Sequence, residues 1–432
     1  MTTLSTDEDL DVAIDVEDAL AAREDRERKR RRVALVLVVL AFVVTRAFAG
    51  YVSDHPGFYG PNMPDATGDV ARYDGLSWDM RHEDASPYGP ILRMEYPPGA
   101  IPVIMVPRFL RAASYRTEFV AMMVVLDAIG LAALARIARR TGQWWGFWTW
   151  FVLMPALGPV TYTRLDLVVA VAFVWAIERA LAGKWGHVGV LIGIGASVKL
   201  IPALLLPLLF FVVPRDRRRA YIGGFAAVVA ACIAPFLNVL PDLYRSAITY
   251  HTERGVQAES IWGAGLLVAR WVSDYPVRIV ASHRAWDAAA DAADTLKFLS
   301  NVLTAAVLAL GFAMAMRSRV GDMRRASLLL FGVMSLVVGV ERVYSPQYVI
   351  WLIALGAAAM ALAPRRAAPA AAVLAVTTLL AHLEFPIWFW DVLFYDKGGA
   401  LIVLVVRDVL TIVVGVLALL AWRQPRRTPV NV

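Results

Sequence analysis

Residues 189–219 read GVLIGIGASVKLIPALLLPLLFFVVPRDRRR, an apolar run with one lysine, Lys199, near its middle. A single membrane span needs about 20 apolar residues, and this stretch is long enough. Basic residues flank both ends, however: ERALAGKWG (178–186) before it and PRDRRR (214–219) within its tail. Cytoplasmic loops collect Lys and Arg, so one span would leave a basic segment on the wrong side. Two short helices broken near Ser197–Pro202 keep both ends inside. Irregular backbone at membrane depth is tolerated only where it is buried in protein or lines a cavity. An ionisable residue in such a break is a functional candidate, although a lysine can also snorkel to the surface.

The same reasoning extends along the chain. Apolar stretches lie near 33–52, 115–138, 144–161, 164–182, a pair within 187–213, 219–237, 296–316, 326–342, 346–363, 367–386 and 399–422. They predict an all-α polytopic integral membrane protein of about 12 transmembrane helices with both termini in the cytoplasm. The predicted inner loops RIARRTG, ERALAGKWG, PRDRRR, RSRVGDMRR, APRRAAP and WRQPRRTP are all basic, in accord with that topology. Residues 1–32 form an acidic-then-basic tail read as solvated and largely disordered. Residues 33–422 form the membrane domain, with outer loops 53–115, 238–295 and 387–398, and 423–432 are a second cytoplasmic tail. No cleavage site is evident after the first apolar run, which argues against a secretory signal.

Composition excludes other classes. Of 432 residues, 59% are hydrophobic and 18% charged, against about 45–50% and about 25% for a soluble domain. The net charge of +7 is spread through the gaps between apolar runs, so nucleic acid is not a predicted partner. Cys232 is the only cysteine, which excludes a disulfide framework and a Cys-based metal or haem motif. No P-loop or dinucleotide fingerprint is present, so cytoplasmic nucleotide is not the energy source. A transferase working outside would need a group already activated in the membrane.

Chemistry-bearing residues gather in the outer loops. From Val52 to Arg116 the first loop has eight acids and six arginines and a short apolar segment, Gly99–Leu110, that reads as interfacial or re-entrant. In it, Asp69 is a candidate general base, or else the N-cap of a helix over 70–82. Arg72, Tyr73 and Asp79 follow on that helix, and Glu83-Asp84 is an adjacent acid pair. Glu95-Tyr96-Pro97-Pro98-Gly99 is a rigid turn, because proline keeps its predecessor out of the helical region. YHTERGVQAES (250–260) brings His251, Glu253, Arg254, Gln257, Glu259 and Ser260 together, with Arg254 a phosphate candidate. ERVYSPQYVIW (341–351) offers Arg342, either a second phosphate ligand or an anchor paired with Glu341, and Gln347. TYTRLDL (161–167) adds Arg164 and Asp166.

In their order, GDVARY, SPYGP, MEYPPGA, TRLDL, ASVKLIPALLLPLL, YHTERGVQAES and SPQYVIWL make the chain resemble a GT-C glycosyltransferase. More narrowly, it resembles glycosyltransferase family 87, the actinobacterial polyprenol-phosphate-mannose-dependent α-mannosyltransferases. The resemblance implies a multi-spanning helical core with a long first outer loop bearing the catalytic acid. The family's D-hydrophobic-x-x-Tyr pattern falls on Asp69, Val70 and Tyr73. GT-C enzymes often pair acids in this loop, whereas here Asp69 is single and Glu83-Asp84 is the pair. The implied donor is a polyprenyl-phosphate sugar, with mannose first and arabinofuranose or another sugar as alternatives. The implied acceptor is a glycolipid or cell-envelope glycan. Arg254, His251, Lys199 and Arg342 would hold the donor phosphate, and Tyr73, Glu95, Tyr96, Glu259 and Gln347 would contact sugar or acceptor. No cofactor is implied, and a divalent ion is compatible but not required. A lipid-linked glycan transporter is the competing class; its polar groups should sit near the midplane and on both faces.

Overall fold

The computed structural model describes residues 6–59, 68–82, 86–89, 92, 94–394 and 398–424. It divides into two units, residues 1–48 and 49–432. The described part of the first unit, from Thr6, is helix, the beginning of α1 (Thr6–Asp54). The tail expected to be disordered is therefore helical from Thr6. Neither Gly nor Pro interrupts residues 6–49, and Ala, Glu, Arg and Leu are strong helix formers.

In the second unit, α2 (Gly68–His82) and α3 (Ala100–Leu110) occupy the long first loop. The bundle continues with α4 (Tyr115–Thr141), α5 (Trp145–Ala156), α6 (Asp166–Leu181), α7 (Trp185–Val198), α8 (Leu205–Phe210) and α9 (Arg218–Ile233). Short helices α10 (Leu240–Tyr244), α11 (Tyr250–Glu253) and α12 (Ile261–Ser273) follow, then the antiparallel hairpin β1 (Arg278–Ser282) and β2 (Ala285–Ala289). The chain closes with α13 (Ala293–Met316), α14 (Met323–Val340), α15 (Val349–Leu362), α16 (Pro364–His382), α17 (Phe389–Leu393) and α18 (Gly398–Arg423). Among the described residues, seven helical stretches are long and apolar enough to cross a membrane, so the chain is an all-α polytopic membrane protein. Each stretch predicted as a span is helical. Several, including those that form α7 and α15, are shorter than a full crossing.

α14, α15 and α6 form the buried centre, and nearly every side chain of α15 is inaccessible. α15 is apolar all round, as a helix surrounded by others must be. α14 and α16 pack on α18, and α7 packs on α9 through small residues. A Cβ at Gly189 would lie 1.9 Å from the Tyr221 carbonyl oxygen, so only glycine permits that crossing.

The predicted break in 189–219 is present. α7 ends at Val198, Lys199 is extended (φ −143°, ψ 139°), and helix resumes at Ile201. The EYPPG turn packs directly against it: a Cβ at Gly99 would fall 2.6 Å from the Ser197 Cβ. Among the described residues, the hairpin is the one element outside the all-helical expectation. Its strands RIVAS and AWDAA are joined by His283-Arg284, which lacks the Asn-Gly or Asp-Gly signature of a two-residue turn.

Candidate active site

One end of the bundle holds a cavity of about 850 Å³. Nine of the ten residues to which the family resemblance gave a role line it: Asp69, Glu95, Tyr96, Lys199, His251, Arg254, Glu259, Arg342 and Gln347. The tenth, Tyr73, lies fully buried behind the wall, its hydroxyl 3.4 Å from that of Tyr96. Segments separated by more than 270 residues thus meet in one place.

Asp69 sits in the first turn of α2. Its Oδ2 lies 3.0 Å from Nε of Arg164, which is buried just before α6. The carboxylate is oriented by this cation yet stays partly open to the cavity. Tyr96 is fixed by the proline turn, and its carbonyl accepts a hydrogen bond from the Tyr88 hydroxyl at 3.0 Å. Glu83 and Asp84, the paired alternative to Asp69, and Asp65 lie outside the described residues.

Lys199 does not snorkel. Its Nζ donates to both carboxylate oxygens of Asp166, at 3.0 and 2.8 Å. Three rings surround the ammonium: Tyr96, Tyr348 and Trp351, with centroids at 6.0, 5.7 and 5.7 Å. Such a cage stabilises a cation through the ring quadrupoles. Asp166 is inaccessible, so the pair presents its positive end to the cavity.

The remaining predicted cations differ in what they can do. Arg254 lines the cavity, and its buried Nε has no hydrogen-bond partner among the described residues. Arg342 is committed to protein. It donates to the carbonyls of Arg254 and His251 at 3.2 Å each and to Asn301 Oδ1 at 2.5 Å, with Glu341 Oε1 3.4 Å away. It positions the 251–254 segment, and the carbonyl of Arg342 itself accepts from the Gln257 N–H at 2.9 Å. His251 opens onto the cavity, but desolvation by the surrounding protein and the nearby Arg254 charge push its imidazole down to about 4. At neutral pH it is an uncharged hydrogen-bonding group rather than a cation.

Glu95 is buried. Desolvation raises its carboxyl above the usual range, opposed by Arg72. Glu259 is buried as well and accepts from Gln257 Nε2. Desolvation raises it too, with Arg407 the main opposing charge.

Several groups at or behind this site escaped the sequence reading. His283, Arg284, Asn301 and Trp390 all line the cavity, as does Arg72, which the sequence placed on the first-loop helix without a role. Behind it, the inaccessible Arg407 on α18 donates to Glu384 Oε2 at 2.7 Å, to Asp408 Oδ1 at 2.7 Å and to the Glu259 carbonyl. Its guanidinium also lies 4.3 Å from the Tyr344 ring centroid. The available signal was the pair RD inside LIVLVVRDVLTIVVG, since ionisable residues within a span are rare and normally paired. Among the described residues, no three His, Cys, Asp or Glu side chains converge as metal ligands.

A helical membrane bundle whose cavity combines a held carboxylate with cationic side chains is suited to group-transfer chemistry. The model of glycosyltransferase family 87 matches residues 95–346, more than half of the chain. The chain belongs to that family and is a membrane glycosyltransferase. No curated protein matches it.

Proposed function

We propose that the enzyme transfers a sugar, mannose by family resemblance, from a polyprenyl-phosphate donor to a glycolipid or cell-envelope glycan. The reaction would take place at the outer face of the plasma membrane. One observation carries this reading: Asp69 shares a single cavity with Lys199 and Arg254. On this reading a base for the acceptor and cations for a phosphate leaving group would face the same sugar. The placement outside rests on the basic character of RIARRTG, PRDRRR, RSRVGDMRR and APRRAAP, which would all be cytoplasmic.

The mechanism is a one-step inverting displacement. Asp69 accepts the proton of an acceptor hydroxyl, whose oxygen bonds to the anomeric carbon from the face opposite the phosphate. The bond from that carbon to the phosphate oxygen breaks, and its electron pair leaves with polyprenyl phosphate. The developing charge is stabilised by Arg254 and by Lys199 in its aromatic cage, with neutral His251 as a hydrogen-bond donor. Arg342 shapes the loop that carries His251 and Arg254. A phosphate ester leaves readily, so no general acid is needed. Tyr96, Glu259 and Gln347 supply the polar wall for sugar or acceptor, and Tyr73 supports Tyr96 from behind.

The test is incubation of the purified protein with polyprenyl-phosphate sugars and a membrane glycolipid extract, followed by mass spectrometry. Growth of the acceptor by one hexose supports mannosyl transfer, and growth by one pentose moves the assignment to arabinofuranosyl transfer. Absence of any glycosylated product with every donor overturns the lipid-phosphate reading.

A further inference from the structure

The hairpin tip and Glu95 form an arrangement that the phosphate chemistry leaves unused. Glu95 is about 7% exposed, and its Oε2 has no hydrogen-bond partner among the described residues. Two guanidiniums pair with it at long range, Arg72 at 3.5 Å from Oε2 and Arg284 at 3.7 Å from Oε1, and the same Arg72 Nη2 donates to the Leu92 carbonyl at 3.1 Å. Both distances to the carboxylate exceed the usual 2.7–3.2 Å of an N–H···O bond. The buried Nε of Arg72 is likewise unpartnered among the described residues. Buried polar groups are normally hydrogen-bonded, so such unmade bonds around one carboxylate mark a place where a ligand completes the set.

The backbone supporting Arg284 points the same way. His283 and Arg284 form the two-residue hairpin turn with φ of 46° and 56°, a left-handed conformation that costs any residue with a Cβ. The turn is clamped all the same. The Tyr250 hydroxyl donates to the His283 carbonyl, and Ser282 Oγ lies 2.7 Å from His283 Nδ1. At the base of the hairpin, the Ala258 N–H donates to Trp286 O and the Ala288 N–H to Val256 O, both at 2.8 Å. A rigid finger thus holds a strained arginine over the cavity.

The chemistry selects the ligand. A buried carboxylate between the cations repels phosphate. It accepts hydroxyl protons, while each arginine donates to a hydroxyl oxygen. We infer that Glu95, Arg72 and Arg284 form a subsite for a neutral pair of neighbouring sugar hydroxyls. This subsite rests on the glycosyltransferase reading but is independent of the donor's identity.

The experiment uses the full chain in nanodiscs and saturation-transfer NMR with methyl glycosides of mannose, glucose and arabinose and their monodeoxy forms. Wild type should bind at least one glycoside saturably and its monodeoxy form at least fivefold more weakly. Arg284→Gly relieves the left-handed strain, so it should fold at least as well as wild type while weakening glycoside binding fivefold or more. Glu95→Gln should weaken it tenfold or more. Inorganic phosphate should not compete. No saturable binding by wild type, unchanged binding in both variants, or competition by phosphate lost in Arg284→Gly would each overturn the subsite. Because no donor is present, failure of polyprenyl-phosphate transfer leaves this result standing and refutes only the donor assignment. Where transfer is active, a rise confined to the acceptor KM assigns the hydroxyls to the acceptor, and a rise confined to the donor KM assigns them to the donor sugar.

Discussion

Lys199 Nζ lies 2.8 Å from Asp166 Oδ2, and this contact joins the break after α7 to the start of α6 across 33 residues of sequence. It turns a lysine that could have been an interfacial anchor into a half-buried cation held among aromatic rings. It also separates two kinds of cation in the cavity, those balanced by a buried carboxylate and those left open.

Lys199→Ala removes the counter-charge of an inaccessible carboxylate. Breaking a buried pair in this way costs about 3–5 kcal/mol, which chemical denaturation in detergent should register. Adding Asp166→Asn should recover most of that loss. Arg254→Ala should leave stability unchanged and weaken donor use by about 1–3 kcal/mol, the scale of a charge-assisted bond left unmade. Equal destabilisation by both single variants would contradict the distinction.

Asp69→Asn preserves the shape of the side chain and its contact with Arg164 but cannot take up a proton near neutral pH. Asp69 lies within the first turn of α2 rather than at its N-cap, and losing a charge there costs only about 0.3–1 kcal/mol, so folding should be retained. Turnover should fall on the order of 10²-fold or more. Glu95→Gln and Glu83→Gln are the matched comparisons in a single-turnover assay. Near wild-type turnover in Asp69→Asn, with collapse in Glu83→Gln, would move the base to that residue.

Arg407→Met strands Glu384 and Asp408 in an inaccessible site. The expected loss is about 3–5 kcal/mol of stability. Neutralising both acids in the same chain, with Glu384→Gln and Asp408→Asn, should restore most of it. Thermal unfolding of the three chains checks this. A single variant as stable as wild type would show that the network contributes nothing.

His251 carries a pH signature. Its folded-state value of about 4 lies below the ordinary 6.5, so the native protein binds fewer protons than the unfolded chain in between. This contribution to stability is present above pH 6.5 and is lost as pH falls toward 4. His251→Asn should flatten that part of the stability profile. Between pH 6 and 8 the ring is neutral, so donor affinity should not titrate through it, and a wild-type transition near pH 6.5 that vanishes in His251→Asn would contradict this assignment.

Apolar period, basic punctuation and proline placement were enough to locate the helices, the break at Lys199 and the rigid EYPPG turn. These features depend on local burial and backbone sterics, which each segment carries within itself. The choice of Asp69, Lys199, His251 and Arg254 was legible because dense polar residues between apolar runs are unusual. Which cations are spent was not legible. Asp166 sits on Lys199, and Arg342 is consumed by the carbonyls of residues 251 and 254, pairings fixed by helix packing at long sequence separation. The hairpin stayed hidden because His283-Arg284 violates the usual turn chemistry and is held instead by Tyr250 and the 256–258 backbone. Arg407 drew no reading from the sequence, because its partners Glu384 and the Glu259 carbonyl come within reach only through helix packing. Sequence sets where polar groups can be afforded along each segment; only the folded bundle sets which of them neutralise one another and which remain free for substrate.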